Sequence, residues 1–147
     1  SVQMPVLGAE AKAEEYAPTF GEAEERIRLA IAFMKSKGYE KIALISHSMG
    51  YSMAARFAEA NSNADLAAWV AIGATAMIDF AKLRIPMMDL IGENDFPRVL
   101  EAAKIRARTL PPGGKSTQVV APKADHFFEG KDDQLVGLVK GFLDKTL

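Results

Sequence analysis

The stretch LISHSMGYSMAARFA, residues 44–58, decides the fold because two kinds of periodicity meet in it at one serine. Its first residues form an apolar run that predicts a strand. Helical spacing then follows through Met53, Ala54, Phe57 and Ala58. Ser48 lies at the junction between the small residues Ser46 and Gly50, which suits a cramped turn. The stretch therefore predicts a serine that stands above the carboxyl end of a sheet.

The rest of the chain alternates between the same two patterns. The predicted strands are Lys41–Ser46, Leu66–Ile72, Met87–Ile91 and Thr117–Ala121. The predicted helices are Glu22–Gly38, Met49–Ala60, Pro97–Leu110 and Lys131–Leu147. Thr19 and Glu22 fit a capping box, and Gly38 fits the left-handed position after a helix. Strands that alternate with helices indicate a parallel sheet with helices on both faces. We predict a single α/β domain over residues 1–147 with a mostly parallel sheet of four to five strands, the fifth ending in SVQM at Ser1–Met4.

Composition and charge exclude some classes of protein. The chain has 147 residues, of which 49% are hydrophobic and 25% charged, as in an ordinary soluble globular domain. A net charge of −1 gives the chain no excess of positive charge with which to bind nucleic acid. No apolar run reaches the roughly 18 residues that a membrane span requires. The chain has no cysteine and two histidines, so we expect neither a metal nor a cofactor.

The amino terminus leaves the cellular compartment open. Ser1 is not an initiator methionine, and no signal-peptide pattern follows it. We expect that a segment was removed before Ser1 or that the sequence is part of a longer protein. Neither a cytoplasmic nor an exported protein is favoured.

A serine hydroxyl becomes a good nucleophile only when a base removes its proton. His126 follows the last predicted strand, in a loop that could reach Ser48. His47 is a weaker base, because adjacent side chains diverge at a sharp turn. Asp95 follows a predicted strand and precedes a helix start, so it can orient the base from the same end of the sheet. The alternatives are a surface-loop histidine and an Asp95 that caps a helix.

Two other acidic residues compete with Asp95. Asp89 lies inside a predicted strand, where a carboxylate is buried and needs a partner. Glu93 is the weaker of the two candidates. The candidate pocket residues are His47, Met77 and Phe127. Met77 could line an apolar acyl pocket, His47 could instead stabilise the turn, and Phe127 could instead anchor its loop.

The chain order Ser, Asp, His is that of the α/β-hydrolases. SHSMG resembles the nucleophile elbow of this superfamily, GEND resembles its acid loop, and ADHFF resembles its histidine loop. The chain resembles the carboxyl-terminal part of such a hydrolase. SVQMPVL, followed by a helix and LISHSMG, is similar to a bacterial α/β-hydrolase-like family of uncharacterised function. The resemblance implies catalytic residues Ser48, Asp95 and His126 and an oxyanion donor at the Met49 N–H.

The chain departs from the superfamily at the second oxyanion donor. That donor usually comes from a loop after an earlier strand, often beside a His-Gly pair, and no such pair occurs here. The loss of one donor costs about 10²–10³ in rate. A partner chain or upstream residues could supply it. The sheet edge left by the missing strands favours a homodimer that covers it.

The sequence thus predicts a serine hydrolase that acts on a small-molecule carboxylic ester or related acyl substrate. Two alternatives stay open. One is a non-catalytic binding or interaction domain that keeps the elbow as architecture. The other is an inactive fragment of a larger hydrolase.

Overall fold

A computed structural model describes residues 13–60, 66–75, 77–110 and 113–147. The strands are β1 (Ala43–His47), β2 (Ala68–Ile72), β3 (Met87–Gly92) and β4 (Thr117–Ala121). The helices are α1 (Ala13–Tyr16), α2 (Phe20–Ser36), α3 (Gly50–Ala60), α4 (Pro97–Ala107) and α5 (Asp132–Thr146). Short 3₁₀ turns lie at Ala17–Thr19 and Phe80–Lys82. The four strands form one sheet in the order β1-β2-β3-β4, and all neighbours are parallel.

The predicted α/β class is confirmed, and so are the four predicted strands. Each strand and each helix predicted from the pattern begins and ends within three residues of its prediction. The fifth strand, predicted at Ser1–Met4, lies outside the described residues. None of the described helices is long and apolar enough to cross a membrane.

The central strands β2 and β3 are buried over their whole length. Continuous apolar runs are typical of parallel strands that helices cover on both faces. In β2, Trp69 packs in one apolar cluster with residues of α3, whereas Val70 packs in another with Phe142 of α5. Helices therefore cover both faces of the sheet, as predicted.

The capping box predicted from Thr19 to Glu22 is wrong. Thr19 already has helical backbone angles (φ −85°, ψ −10°), and its hydroxyl donates back to the Tyr16 carbonyl oxygen at 2.7 Å. The cause is the 3₁₀ turn, which runs directly into α2 and leaves no extended residue to act as a cap. Glu22 pairs instead with Arg26 at 2.6 Å. Gly38 adopts the predicted left-handed conformation, with φ of 86°.

Strand β1 lies at one end of the sheet. The Ser48 N–H donates to the Ile72 carbonyl oxygen at 2.9 Å. The backbone N–H and C=O groups of the even-numbered residues of β1 therefore point toward β2. The backbone groups of Ala43, Ile45 and His47 therefore point to the other side, where no described strand pairs with them. An apolar groove bordered by α2 and α3 runs along this side.

Candidate active site

Ser48 lies in a tight turn between β1 and α3. Its φ is 53°, an uncommon value for a residue with a side chain. Residues held in this region cluster at active sites, where the surrounding structure maintains them. The hydrogen bond from the Ser48 N–H to Ile72 fixes the turn against the end of β2. The turn therefore presents the Ser48 hydroxyl at the carboxyl edge of the sheet.

Gly50 and Ser46, the small residues on either side of Ser48, play different parts in the turn. A Cβ on Gly50 would lie 4.0 Å from the Ser46 Cβ, which is an ordinary contact, so the turn itself does not require glycine there. Ser46 is buried, and its hydroxyl accepts a hydrogen bond from the Trp69 indole at 2.9 Å. Ser46 thus satisfies a buried donor that a glycine at this position would leave unpaired.

The structure brings Ser48, His126 and Asp95 together. The His126 Nε2 lies 2.9 Å from the Ser48 Oγ, and its Nδ1 lies 2.7 Å from the Asp95 Oδ1. An ionised carboxylate only accepts, so the Nδ1 carries the proton and the Nε2 accepts from the serine hydroxyl. Asp95 and His126 are buried, and Ser48 is half-buried. This geometry allows the imidazole to take the proton of the hydroxyl.

Parallel strands explain why three distant segments meet. All four strands end at the same edge of the sheet, and the three residues follow the ends of β1, β3 and β4. Asp95 is not the helix cap that we considered, since Phe96 occupies the N-cap position of α4. The Asp95 Oδ1 also accepts from the Phe96 N–H at 2.7 Å. Its buried Oδ2 has no hydrogen-bond partner among the described residues.

Asp89 and Glu93, the other candidates for the acid, are engaged elsewhere. Asp89 is fully buried and accepts from the Arg106 Nε at 2.8 Å, from its Nη2 at 3.0 Å and from Gln118 at 2.8 Å. Arg106, also fully buried, donates a further hydrogen bond to the Ala74 carbonyl oxygen at 3.0 Å. Glu93 accepts from a backbone N–H, that of Lys123, at 2.8 Å. Sequence reasoning missed Arg106, and its signal is an arginine on the apolar side of α4.

Two glycines make room for the histidine loop. Gly73 has φ of 59°, and a Cβ there would lie 2.8 Å from the His126 Cε1 and 2.9 Å from its Nδ1. A Cβ on Gly92 would lie 2.5 Å from the carbonyl oxygens of Ala124 and Asp125. Such distances require the backbone or the imidazole to move. Sequence reasoning did not single out Gly73, and its signal is a glycine directly after a buried strand.

Anchors on two sides hold the histidine loop. The Asn94 N–H donates to the Ala124 carbonyl oxygen at 2.8 Å, which joins the loop to the segment after β3. Phe128, with φ of 55°, is buried in the cluster that contains Phe142 of α5. Phe128 rather than Phe127 therefore anchors the loop. The carboxylate of Asp125 accepts from two backbone N–H groups within the loop.

Two of the three candidate pocket residues lie beside His126. The ring centroid of His47 is 4.9 Å from that of His126, and the ring centroid of Phe127 is 5.0 Å away. Phe127 is 69% exposed. Phe96, which sequence reasoning missed, lies 4.5 Å from the imidazole and is 42% exposed. The rings of His47, Phe96 and Phe127 all pack beside the imidazole.

Met77 does not lie at this site, contrary to our prediction. It lines a separate cavity of about 570 Å³ beside the carboxyl ends of α3 and α4, together with Ala58 and Thr109. The physical reason is the path of the loop. The loop leaves the carboxyl end of β2 at Gly73 and returns toward the start of β3, so that residue 77 has already left the site.

The Met49 N–H lies at the amino end of α3. The turn uses other donors: the N–H groups of Tyr51 and Ser52 bond to the carbonyl oxygens of Ser48 and Met49, each at 3.0 Å. Among the described backbone hydrogen bonds outside helices and strands, none uses the Met49 N–H, and the first N–H groups of a helix have no partner within it. The described part of the chain has no strand before β1, and therefore no loop of the kind from which the superfamily usually takes its second oxyanion donor. It also holds no group of three or more acidic or histidine side chains placed to bind a metal ion.

Comparisons with known proteins agree with this architecture. Residues 7–145 match the family described as a protein of unknown function, DUF3530. No curated protein matches the sequence. A predicted CIB-like hydrolase from Thermoplasma acidophilum is similar in structure, with a TM-score of 0.68 and 20% identity over 95% of this chain and 68% of that chain.

Two further solved structures are similar. An α/β-hydrolase candidate of unknown function from Agrobacterium tumefaciens has a TM-score of 0.62 and 19% identity, over 79% of this chain and 56% of that one. The esterase domain of a Rhodothermus marinus protein has a TM-score of 0.62 and 18% identity, over 80% of this chain and 66% of that one. The chain spans 56% to 68% of the lengths of the three structures. The likeness confirms the α/β-hydrolase fold.

Proposed function

This chain belongs to the DUF3530 family of proteins of unknown function, and we propose that it is a serine hydrolase that acts on a carboxylic ester or a related acyl compound. One observation carries the proposal. It is the continuous hydrogen-bonded series from the Ser48 hydroxyl through the His126 imidazole to the Asp95 carboxylate, at 2.9 and 2.7 Å. The hydrolase and esterase folds of the structural neighbours support the same reaction class.

Acylation begins when the Ser48 Oγ attacks the carbonyl carbon of the substrate. The hydroxyl proton passes to the His126 Nε2, and Asp95 stabilises the imidazolium that forms. The Met49 N–H donates to the oxygen that becomes negative. The bond from the acyl carbon to the leaving group then breaks, and the leaving oxygen takes the proton from His126.

Burial of Asp95 supports this role. A buried carboxylate is costly unless a positive or hydrogen-bonding partner offsets its charge. With no partner at its Oδ2 among the described residues, Asp95 depends on His126 and the Phe96 N–H for that compensation. Asp95 is therefore placed to hold the imidazolium that forms during the reaction by a charge-assisted hydrogen bond.

A non-catalytic interaction domain, or part of a larger hydrolase, is the second candidate function. The observation that favours it is that no described strand precedes β1, so the described residues contain no loop that could supply the superfamily's usual second oxyanion donor. A domain of this kind would keep the elbow geometry without turning over an ester.

A fluorophosphonate probe tests the proposed function on the full-length protein. We expect labelling at Ser48, located by mass spectrometry, and its loss in both Ser48→Ala and His126→Ala. Heat-denatured protein is the control for non-specific labelling. Absence of labelling in the native protein at every concentration tested would refute the hydrolase and favour the interaction domain.

The homodimer predicted from the open sheet edge stays a prediction. Its basis is the side of β1 with which no described strand pairs, together with the apolar groove beside it. Light scattering after size-exclusion chromatography should give twice the mass of one chain, and Ile45→Lys on the exposed edge should shift the mass to that of a monomer. A monomeric mass for the unmodified protein at high concentration would contradict the prediction.

A further inference from the structure

Among the described residues, two side-chain hydrogen bonds join the turn at Ser48 to the histidine loop. One is the bond between the Ser48 Oγ and the His126 Nε2, and the other joins the His47 Nε2 to the His126 backbone carbonyl oxygen at 2.9 Å. A carbonyl oxygen only accepts, so the His47 Nε2 carries the proton and donates. His47 therefore holds the backbone of the residue whose side chain serves as the base.

The first contact disappears during the proposed reaction. Once Ser48 is acylated, its Oγ has no hydrogen and no longer donates to His126. The imidazole must nevertheless stay in place, because it next takes a proton from water. Asp95 still holds the ring, and on the side of β1 the His47 contact is the described hydrogen bond that survives acylation.

We propose that His47 is a positioning residue that keeps His126 against the turn in the acyl-enzyme and thereby sets the rate of deacylation. This inference rests on the proposed function. In deacylation, water attacks the acyl carbon and gives a proton to the His126 Nε2. The bond from the acyl carbon to the Ser48 Oγ breaks, the Oγ takes that proton, and the free carboxylic acid leaves. His47 exchanges no proton in either step.

Three variants of His47 distinguish the effect of losing the hydrogen bond from the effect of losing the volume of the ring. Gln in His47→Gln places an amide N–H near the position of the imidazole Nε2 and keeps the donor. His47→Asn is polar but too short, and His47→Leu has size without a donor. Val120→Ala is the control and should leave the rates unchanged, since Val120 is also 53% exposed on a strand but lies on β4, at the opposite end of the sheet from β1. His47 is itself exposed, so we expect all four variants to fold.

The kinetic test uses p-nitrophenyl acetate with the full-length protein. In His47→Leu and His47→Asn we expect deacylation to slow about three- to tenfold, the range for one hydrogen bond. The Ser48 contact is intact before acylation, so kcat and KM should fall together while kcat/KM changes less than twofold. A burst of p-nitrophenol should become visible, and His47→Gln should restore the wild-type rates. Equal slowing of both steps without rescue by Gln, or no change in His47→Leu, would overturn the inference.

A second measurement does not depend on activity. Ser48→Ala removes the serine contact as acylation does, so amide hydrogen exchange in residues 124–131 should be about three- to tenfold faster in Ser48→Ala/His47→Leu than in Ser48→Ala. Ser48→Ala/His47→Gln should exchange like Ser48→Ala. Equal protection in all three would overturn the role of His47. An inactive wild type with the expected exchange pattern would count against the hydrolase and leave the contact established.

Discussion

The Trp69 indole donates a hydrogen bond of 2.9 Å to the Ser46 hydroxyl, and both residues are buried. The bond joins β2 to β1 two residues before Ser48. It also explains why a serine stands where the related elbows more often have glycine. The Tyr51 ring stacks on Trp69 at 5.3 Å and extends the same packed layer into α3.

Removal of the Ser46 hydroxyl should lower stability. We expect Ser46→Ala to reduce the free energy of unfolding by about 1–3 kcal/mol, because the Trp69 N–H is left buried and unpaired. Urea denaturation followed by circular dichroism measures this change. Ser36→Ala removes an exposed hydroxyl that bonds to the Phe33 carbonyl oxygen and should cost less than about 0.5 kcal/mol. Equal costs for the two variants would contradict the role of the buried bond.

Gly73→Ala should damage the site more than the fold. Its Cβ would meet the His126 ring at 2.8 Å, so the imidazole must leave its position between Ser48 and Asp95. We expect the rate of fluorophosphonate labelling to fall by about 10²-fold or more. Gly38→Ala is the control, since Gly38 also has a positive φ but a Cβ there meets nothing within 4 Å. Both variants should lose about 1 kcal/mol of stability through backbone strain, and only Gly73→Ala should lose reactivity.

Loss of Arg106 should destabilise the protein strongly. Arg106→Met leaves the fully buried Asp89 carboxylate without its cation, which costs about 3–5 kcal/mol in comparable buried pairs. Chemical denaturation should give a smaller cost for the double variant Arg106→Met/Asp89→Leu than for Arg106→Met alone. Arg26→Met, which breaks an exposed pair with Glu22, should change stability by less than about 1 kcal/mol. A similar small effect for Arg106→Met would show that the buried pair is not required.

Tyr51 should make stability fall at high pH. Burial raises the pKa of the Tyr51 hydroxyl above its ordinary value of 10.0, with a smaller opposing effect from Arg106. The unfolded chain releases this proton near pH 10 while the folded protein keeps it, so the free energy of unfolding declines as pH rises past that point. Between about pH 9 and 11, Tyr51→Phe should lose about 1.4 kcal/mol less stability than the wild type.

The alkaline prediction has a matched control in Tyr39, which is 56% exposed. Tyr39→Phe should reproduce the pH dependence of the wild type in urea denaturation. An identical pH dependence for Tyr51→Phe and Tyr39→Phe would contradict the assigned effect of burial. The substitution at Tyr51 leaves no new polar group unpaired, since its hydroxyl has no hydrogen-bond partner among the described residues.

The sequence by itself determined the elements and their order. The continuous apolar run of β2 and the helical spacing of apolar residues along α3 predict these elements, because the polarity of each side chain reflects its local burial. The placement of Ser48, Asp95 and His126 at one edge followed from parallel strands, whose carboxyl ends lie together. The structure brings the three side chains within hydrogen-bonding distance, and their catalytic roles stay a prediction.

Only the tertiary structure decided which side chains touch. Asp89 and Asp95 are both acidic residues in or shortly after β3, and the residue type alone does not distinguish them. In the structure, Arg106 of α4 binds Asp89, whereas His126 binds Asp95. Met77 lies away from the site because of the path of the loop that contains it. The contact of His47 with the His126 backbone joins two segments that are 79 residues apart in the sequence. Local periodicity contains no information about such distances, because the register of the sheet and the packing of the helices against it set them.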